Sequence, residues 1–594
     1  MKRFAILLGL SLIALSCASP APEVSLLPLP KEVRWGRGSV AVSEPDVQWV
    51  DSIPGARQNE DEAYRLTVGK QGILIETVTE KGRWNALQTL SQLTRDGKVT
   101  CCTVTDWPSF RVRGWMMDVG RTYISLEELY REVDVFSRFK LNVFHLHLTE
   151  NEAWRLESRL YPQLNAPDAM TRQKGLFYTR KEIRELDAFC RSRGVTLVPE
   201  IDMPGHSAAF ERAFGFPMQS EKGLAVVQDL LEEAMEVFSS EYIHIGTDEV
   251  HFTMEDFVPE VVRFVRSKGR KAVSWNPGWT YAPGEIDATQ LWSYRGKAQP
   301  GIPAVDCRLH YVNHYDLFGD IVALHTSRIC GADEGSPDLA GSIVALWNDV
   351  YIPDEEWILR ENNLYASALT LSDRAWRGGG YQYFDAFGAV LPEEGPARAD
   401  FLDFERRMLP YLDGLPSGYV RQGNARWALS PVYPNGGDLD AVFPPEEGEW
   451  ETDRTVSGSG IYLRHVWGPS IVAGVYPDPH PGSTVYARTR ICSDREQTVR
   501  LLFQTQNHSR SERDLPEPEG AWDYRRSRIW IDGKEIQPSE RTVRLQKGWN
   551  EVLVKLPVGA FSTPETRLVK WMFTCAFLTP DGRSAAPLTY DCNF

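Results

Sequence analysis

Apolar runs alternate with amphipathic segments through most of the middle of this chain. Between residues 113 and 373, eight short runs have the apolar content of buried strands: RGWMMD, NVFHLHL, VTLVPEID, YIHIGTD, AVSW, TQLW, AVDC and SIVALW. Two intervening segments begin with capping boxes, formed by Ser125 with Glu128 and by Thr179 with Glu182. Strands that alternate with helices indicate a parallel sheet, and eight units predict a closed (β/α)8 TIM barrel. The helix pattern between the sixth and seventh strands, in YRGKAQPG, is weak.

The pattern differs on both sides of this barrel, which we assign to residues 109–400. Residues 22–108 predict a small α/β domain, because YRLTV and GILIET have strand character and GRWNALQTLSQLTRDG has helical spacing. After a predicted linker at 401–424, residues 425–594 contain short alternating runs separated by turns. These runs predict a C-terminal β-sandwich: STVYARTRI, TVRLLFQT, SRIWIDGKEI, NEVLVKL and WMFTCAFL.

The N-terminal segment, residues 1–21, has the pattern of a secretory signal peptide. MKRFAILLGLSLIALSCASP contains two positive charges, then an apolar run, then small residues. The apolar run is too short to span a membrane. IALS before Cys17 resembles a bacterial lipoprotein signal, so we expect a lipid on Cys17 and attachment to a membrane. An ordinary cleaved signal is the alternative, and both predict export to the bacterial cell envelope, as a periplasmic protein or an outer-membrane lipoprotein.

The composition limits the number of domains and the kinds of molecule that the protein could bind. With 594 residues the chain is long enough for two or three domains, and 42% apolar residues can fill large cores. The net charge is −16 and no long basic run is present, which argues against nucleic-acid binding. Nineteen tryptophans could stack on sugar rings or fill cores.

Polar and aromatic residues recur where the eight predicted strands end. In a (β/α)8 barrel the active site lies at the carboxyl ends of the strands. The residues at these ends are Asp118, Arg121, His145, His147, Glu150, Glu200, Asp202, His206, His244, Asp248, Glu249, Trp275, Trp292, Asp306, Tyr311, Asn313, Trp347 and Asp349. Carboxylates together with several tryptophans suggest a site that stacks a sugar ring and protonates its glycosidic oxygen.

Asp248 and Glu249 are adjacent, which restricts the mechanism. A retaining glycosidase normally has two carboxyls on opposite sides of the scissile bond, about 5–5.5 Å apart. Two neighbours at one strand end cannot easily act from opposite faces. In the substrate-assisted exception the sugar's 2-acetamido group is the nucleophile, so one acid protonates the leaving oxygen and the other orients the acetamide. The pair therefore predicts an N-acetylated sugar substrate.

Five motifs, in order, resemble glycoside hydrolase family 20, the β-N-acetylhexosaminidases. They are RGWMMDVGR, HLHLTENEAWRLE, VPEIDMPGHS, HIGTDEV and ALWND, and residues 22–108 resemble the α/β domain that precedes the barrel in this family. The resemblance implies an exo-acting, retaining enzyme that removes terminal β-linked N-acetylglucosamine or N-acetylgalactosamine from glycans and needs no cofactor.

The same resemblance implies roles for individual residues. Glu249 would be the general acid/base, and Asp248 would orient the acetamido group. The sugar-binding residues would be Arg121 and Asp349 on hydroxyls, Tyr311 on the acetamide oxygen, His206 lining the site, and Trp275, Trp292 and Trp347 as aromatic walls.

Four positions depart from the family pattern. Thr247 stands where GGDE has its second glycine, and Glu150 replaces an aspartate in the LTDD or LTDN motif. Asp349 is one methylene shorter than the glutamate of WGE. Tyr311–Asn313, YVN, stands for YLD, although Tyr315 with Asp316 is an alternative alignment. We therefore keep Glu150 and Asn313 as substrate-binding candidates and leave the sugar preference open.

Two other functions compete with this one. His145 and His147 share a strand face, as a metal pair does in metal-dependent barrel hydrolases, but later strands then offer Trp275 and Trp292 rather than ligands. We therefore predict no metal. The chain could also be a non-catalytic glycan-binding surface lipoprotein, against which the intact Asp248–Glu249 pair argues.

The C-terminal sandwich resembles galactose-binding-like jelly rolls, which predicts carbohydrate binding or simple packing against the barrel.

Overall fold

The computed structural model describes the chain in segments. They are residues 25–293, 295–308, 311–312, 319–381, 390–419, 421–465, 474–476, 478, 480–506, 526–537, 540, 542–559, 570–579 and 588–593. The predicted signal peptide with Cys17, and the substrate-binding candidate Asn313, lie outside these residues.

The chain begins with a small α/β domain. One face of its sheet packs on helix α1, because Leu66, Ile75 and Val104 from the sheet and Ala86 and Leu90 from the helix are buried together. The sheet has the order β1-β6-β3-β4-β2, with β5 paired to β6. The elements are β1 (Glu32–Ala41), β2 (Asp46–Trp49), β3 (Tyr64–Gly69), β4 (Gly72–Thr77), α1 (Glu80–Leu93), β5 (Thr94–Arg95) and β6 (Lys98–Asp106).

The middle of the chain forms a closed barrel of eight parallel strands, as the sequence predicts. The strands follow each other around the barrel in chain order, and the last pairs with the first. They are β7 (Val112–Asp118), β8 (Val143–His147), β9 (Thr196–Glu200), β10 (Tyr242–His244), β11 (Lys271–Asn276), β12 (Ala288–Leu291), β13 (Ala304–Asp306) and β14 (Leu339–Leu346).

The helices around the barrel are unevenly distributed. They are α2 (Leu126–Arg138), α3 (Arg180–Ser192), α4 (Ala208–Phe214), α5 (Glu221–Met235), α6 (Phe257–Ser267), α7 (Gly319–Thr326), α8 (Glu355–Glu361), α9 (Leu364–Arg377) and α10 (Pro396–Met408). In the described parts of the β11–β12 and β12–β13 connections there is no helix. Repeated proline and glycine in PGWTYAPG and QPGIP interrupts helical hydrogen bonding there. Within the described segments, no helix has the length and apolar content to cross a membrane.

The boundary between barrel and C-terminal region is helical. Helix α10 crosses residue 400, so the segment 401–424 that the sequence assigns to a linker is partly helical. Phe401, Phe404 and Met408 from this helix are buried in the main barrel cluster.

Two antiparallel sheets follow the barrel, and the predicted strand runs all lie in them. One sheet has the order β17-β15-β19-β24-β21-β22, with β16 and β26 paired to β19, and the other has the order β18-β25-β20-β23. Leu502, Ala576 and Leu578 from the second sheet are buried with barrel residues, so this sheet packs on the barrel. The strands are β15 (Arg426–Leu429), β16 (Tyr433–Pro434), β17 (Arg454–Ser457), β18 (Gly460–His465), β19 (Ser483–Ser493), β20 (Gln497–Gln506), β21 (Arg528–Ile531), β22 (Lys534–Glu535), β23 (Thr542–Leu545), β24 (Gly548–Val558), β25 (Lys570–Leu578) and β26 (Leu588–Asp591).

Asp106 joins the α/β domain to the barrel. Its fully buried carboxylate accepts hydrogen bonds from Lys140 Nζ at 3.0 Å, Tyr64 Oη at 2.8 Å and Trp376 Nε1 at 2.9 Å. Lys140 follows α2, and Trp376 lies in α9. A second buried contact, the ion pair between Glu62 and Arg113, joins the same two domains at 2.5 Å. This charged layer therefore holds the α/β domain against the amino-terminal end of the barrel.

We predict that Asp106→Ala destabilises the protein by about 3–5 kcal/mol, because it leaves the buried Lys140 ammonium without its counter-charge. Asp61→Ala is the matched control, since Asp61 pairs with Lys81 at 2.8 Å on the exposed surface and should cost roughly 0–1 kcal/mol. Urea unfolding of both variants measures the difference. Similar losses would mean that the buried contact does not hold the domains together.

Candidate functional site

Most of the predicted site residues converge at the carboxyl-terminal end of the barrel. Asp118, His147 and Glu200 are the last residues of β7, β8 and β9. All three are fully buried, so these three charged groups lie within the protein rather than on its surface. The loops after these strands add the remaining side chains, which form three connected groups.

The first group surrounds Arg121. Its Nη1 lies 2.8 Å from Asp118 Oδ2, its Nη2 contacts Glu150 Oε1, and its Nε lies 3.8 Å from Asp349 Oδ1. The guanidinium also lies 5.3 Å from the ring centre of Trp347. Burial alone would lower the pKa of Arg121, but Glu150 and Asp118 hold it well above its usual value. Arg121 is therefore a permanent positive charge that keeps three acids together.

The second group is a chain of charges that leads from Glu150 to Glu249. His206 Nδ1 lies 2.7 Å from Glu150 Oε1, and His206 Nε2 lies 3.6 Å from Glu249 Oε2. Burial would lower the pKa of His206, but its contacts with Glu150 and Glu249 have the larger effect and raise this pKa to about 12. Burial also raises the pKa of Glu150, whereas Arg121 and then His206 lower it to about 2. His206 is thus an imidazolium between two carboxylates.

Asp248 differs from its neighbour Glu249 in burial and in the direction of its pKa shift. Its side chain is buried, and its Oδ1 has no hydrogen-bond partner among the described residues. Burial raises the pKa of Asp248 to about 7. Burial and the nearby Asp248 raise the pKa of Asp202 well above its usual value as well. In contrast, the side chain of Glu249 is 56% exposed, and its contact with His206 lowers its pKa.

The backbone between β10 and these acids separates their side chains. Gly246, Thr247 and Glu249 have φ angles of 65°, 84° and 46°, all in the left-handed region. A Cβ on residue 246 would lie 1.6 Å from Asp202 Oδ1, so glycine is required there. Thr247 adopts a strained conformation for a β-branched residue, and its Oγ1 is anchored 2.6 Å from Ser274 Oγ. This turn buries one carboxylate and exposes the next.

The third group is aromatic. Trp275 and Trp347 have ring centres 5.6 Å apart, and Tyr311 lies 5.9 Å from Trp347. Trp275 is completely buried, whereas Trp347 and Tyr311 are partly exposed, so the three rings form a wall from the barrel interior to the surface. Trp292 lies beside them and donates its indole N–H to the carbonyl of Pro277 at 2.6 Å.

Below the aromatic wall, one buried carboxylate collects three histidines. Glu200 lies 2.8 Å from His145 Nε2, 2.7 Å from His147 Nδ1 and 3.4 Å from His244 Nδ1. It also accepts the indole N–H of Trp275 at 2.6 Å. Both histidines of the predicted H-x-H pair therefore face Glu200.

Two groups of side chains in the described part of the chain have the composition of metal ligands. One is His145 with Glu200 and His244, and the other is Asp202 with His206 and Asp248, each with donor atoms within 4.8 Å of one another. The first group also holds the Trp275 indole, which occupies one Glu200 oxygen. In the second, His206 Nδ1 already contacts Glu150, and Nε2 is directed toward Glu249. Glu200 in the first group and His206 in the second thus already have partners within the protein.

The sequence did not identify Arg172, which fixes the loop after β14. Its guanidinium donates to the backbone carbonyls of Asn348 at 3.0 Å and Asp349 at 2.9 Å. Asn348 Nδ2 in turn donates to the carbonyl of Asp118 at 2.6 Å. Arg172 lies in no motif, and contacts to backbone carbonyls leave no pattern in a sequence. The loop that carries Trp347 and Asp349 is therefore held from two directions.

Except for Asp306, the structure brings together the predicted site residues that it describes. Asp118, Glu200 and Asp202, which the sequence treats as strand-end polar residues, lie within the same network. Asp306 has another function, because it contacts Arg308 at 2.9 Å and accepts the backbone N–H of Cys330 at 2.9 Å. Asn313 and its alternative, Tyr315 with Asp316, remain outside the described residues.

Two family models match the first half of the chain. Residues 40–107 match domain 2 of glycosyl hydrolase family 20, and residues 110–215 and 211–282 match the family 20 catalytic domain. The second match contains Arg121, Glu150, His206 and the Asp248–Glu249 pair.

Known proteins with similar sequences include several β-hexosaminidases. That of Vibrio furnissii is 36% identical over 228 residues, which are 32% of this chain and 37% of that protein. That of Porphyromonas gingivalis is 26% identical over 428 residues, which are 59% of this chain and 53% of that protein. This chain therefore spans about half of these relatives' length or less.

Solved structures share the fold at low sequence identity. The Vibrio harveyi family 20 exo β-N-acetylglucosaminidase, in complex with N-acetylglucosamine, has a TM-score of 0.54 at 21% identity, over 66% of this chain and 78% of that one. The family 20 β-N-acetylhexosaminidase of Streptomyces coelicolor has a TM-score of 0.53 at 20% identity, over 68% of this chain and 99% of that one.

We predict that Gly246→Ala disrupts the site, because its methyl group would displace Asp202 and with it the turn before Asp248. Gly215→Ala is the control, since residue 215 has a similar φ of 74° but open space around the added methyl group. Both variants should lose about 1–2 kcal/mol to the left-handed backbone. Thermal unfolding should show a larger loss for Gly246→Ala, and equal losses would contradict the steric argument.

Proposed function

Because this chain belongs to glycoside hydrolase family 20, we propose that it is an exo-acting, retaining β-N-acetylhexosaminidase. Its substrates would be glycans that end in β-linked N-acetylglucosamine or N-acetylgalactosamine. One observation carries the proposal: Asp248 and Glu249 are neighbours with opposite environments, one buried with an unpartnered oxygen and one exposed beside His206.

The first chemical step uses both acids. Asp248 Oδ1 accepts the acetamido N–H, which strengthens the acetamide carbonyl oxygen as a nucleophile. That oxygen attacks the anomeric carbon while the bond to the leaving oxygen breaks, and Glu249 gives its proton to the leaving oxygen. The product is an oxazolinium ring in which the sugar's own carbonyl oxygen is bonded to the anomeric carbon.

The second step restores the enzyme. Glu249 takes a proton from a water molecule, the water oxygen bonds to the anomeric carbon, and the bond to the acetamide oxygen breaks. Two displacements at the same carbon leave the product with its original β configuration. The exposed position of Glu249 supports this step, because both the leaving group and water must reach it.

Substrate binding has to move a proton between the two acids. In the free protein the pKa of Asp248 is raised to about 7 and that of Glu249 is lowered, so the proton is held on Asp248. An acetamido N–H directed at Asp248 favours its ionised form, and a sugar that covers Glu249 removes water and favours its neutral form. Binding therefore transfers the proton to the acid that uses it.

Arg121 supports recognition of the terminal sugar. Three acids fix its guanidinium at the bottom of the site, where it can donate to sugar hydroxyls. If this network closes the site behind the terminal sugar, only one sugar unit fits, and cleavage is restricted to single residues at the chain end. Asp349, 3.8 Å from Arg121, would contact the far edge of the ring.

A metal-dependent hydrolase is the second candidate, supported by the two histidine and carboxylate groups described above. A chelator distinguishes the two. Hydrolysis of 4-nitrophenyl N-acetylglucosaminide should continue after EDTA treatment, and activity that disappears with EDTA and returns with zinc would favour the metal enzyme. No hydrolysis of any N-acetylhexosaminide would favour the non-catalytic glycan-binding protein.

We predict that Glu249→Gln lowers kcat/KM by roughly 10²- to 10⁴-fold on chitobiose, because an amide cannot protonate the poor leaving group. The loss should be smaller on a dinitrophenyl glycoside, whose leaving group needs little protonation. Steady-state rates on both substrates measure the difference. Equal losses would mean that Glu249 is not the acid.

We predict that kcat/KM falls as pH rises above about 7, the pKa of Asp248 in the free protein. Below that pH the pair holds one proton, whereas above it both acids are ionised and none remains for the leaving oxygen. A pH profile with an uncharged substrate measures this. Asp248→Asn should lose most of the activity, and its decline should begin at lower pH, because the remaining proton sits on Glu249, whose pKa is lowered. A wild-type profile that is flat from pH 6 to 9 would contradict this assignment.

We also propose that the protein is exported and carries a lipid on Cys17, which would attach it to a membrane of the cell envelope. The basic start, the apolar run and IALS before Cys17 support this. Labelling with a fatty-acid analogue should mark the wild type and not Cys17→Ser. An unlabelled wild type with a cleaved N-terminus would favour the ordinary signal.

A further inference from the structure

Glu200 is the most connected side chain beneath the aromatic wall. Its carboxylate accepts the Trp275 indole N–H at 2.6 Å and lies within 3.4 Å of nitrogen atoms from His145, His147 and His244. No step of the proposed mechanism uses Glu200. A fully buried charge is expensive unless its partners are well placed, so this concentration of contacts needs an explanation.

The contacts of Glu200 lead to two walls of the expected N-acyl pocket. Trp275 is held directly by its indole N–H. Trp347 is reached through His147, whose ring meets it edge to face with centres 4.9 Å apart. The two tryptophan rings also contact each other at 5.6 Å. A shift of the Glu200 carboxylate would therefore move both walls.

Packing from below only partly fixes this layer. His145, His244 and Gln290 line a cavity of about 350 Å³ that extends toward the α/β domain. Trp275 packs on Val305 and Ile343, which also line this cavity. With space beside these packing residues, the contacts that lead from Glu200 fix the orientation of the rings.

We propose that Glu200 is a positioning residue that sets the shape of the N-acyl pocket, by holding Trp275 directly and Trp347 through His147. This inference rests on the proposed function, since the pocket is defined by an N-acetylated sugar. Glu200 contacts no reacting atom, and its effect is on which acyl group the walls accept.

The charge state of the cluster agrees with this role. Burial would lower the pKa of His147, but Glu200 raises it to about 9, whereas burial lowers the pKa of His145 to about 4. His147 is therefore protonated and His145 neutral through the neutral pH range. The ion pair between Glu200 and His147 lies on the side of Trp347.

The test compares an N-acetyl substrate with an N-butanoyl substrate, whose acyl group is longer. Glu200→Gln keeps the size of the side chain and removes its charge. We expect kcat/KM for 4-nitrophenyl N-acetylglucosaminide to fall ~10-fold or more, because small displacements at a site are costly. The ratio of kcat/KM for the N-acetyl over the N-butanoyl substrate should fall at least about 5-fold, since pockets discriminate methylene groups by their fit.

Glu132→Gln is the matched control. Glu132 is also fully buried and also accepts an indole N–H, from Trp115 at 2.9 Å. That pair lies between α2 and the outer side of β7, among Val133 and Phe136, away from the site. Glu132→Gln should change the unfolding temperature and leave the acyl ratio at the wild-type value. A ratio that shifted equally in both variants would overturn the assignment to Glu200.

The outcomes separate this inference from the proposed function. A wild type that hydrolyses the N-acetyl substrate, with an unchanged ratio in Glu200→Gln, overturns the inference and leaves the function intact. A wild type that does not hydrolyse it overturns the proposed function. If Glu200→Gln does not fold, His147→Phe keeps a ring against Trp347 but loses the contact with Glu200. It should shift the ratio in the same direction, and an unchanged ratio there also overturns the inference.

Discussion

The contacts of the largely buried Arg121 guanidinium with three acids are the interaction on which the rest of the site depends. Its partners Asp118, Glu150 and Asp349 come from three different strand ends. Placing several acids in one buried volume costs several kcal/mol per charge unless a cation compensates them. Because Arg121 keeps Glu150 ionised, Glu150 can hold His206 as an imidazolium, and His206 in turn controls the proton on Glu249. The protonation states across the site thus follow from one fixed positive charge.

The left-handed turn before Asp248 explains how two adjacent acids can have different functions. Neighbouring residues of a strand point to opposite faces, but here the strand has already ended at His244. Gly246 allows the chain to pass Asp202, and the strained Thr247 is tied to Ser274. The result is a buried acid with an unpartnered oxygen beside an exposed one. A glycine at 247 would relieve the strain but lose the Ser274 contact, so this departure from the family pattern has a compensating interaction.

The two ends of the barrel use charge differently. At the amino-terminal end, Asp106 with Lys140 and Glu62 with Arg113 fasten the α/β domain, and each charge has a direct counter-charge. At the carboxyl-terminal end, acids and histidines share partners, and their pKa values move in both directions. Between them lies the cavity below His145 and His244, which is lined by small residues such as Ala288 and by branched ones such as Ile343. The ion pairs at the amino-terminal end thus stabilise the contact between the domains. The acids and histidines at the carboxyl-terminal end set the protonation states that the proposed reaction needs.

The sequence alone determined the barrel, the domains on either side and the positions of the candidate acids. Strand runs such as SIVALW and capping boxes such as Thr179 with Glu182 act locally, so periodicity reveals them without tertiary information. The resemblance and the adjacency of Asp248 and Glu249 were sufficient to name their expected roles. Only the tertiary structure decided which of the pair is buried, that His145 and His147 face Glu200, and that Arg172 holds the loop of Asp349. These features depend on distances between residues far apart in the chain and on burial, and neither quantity is written in the spacing of residues along it.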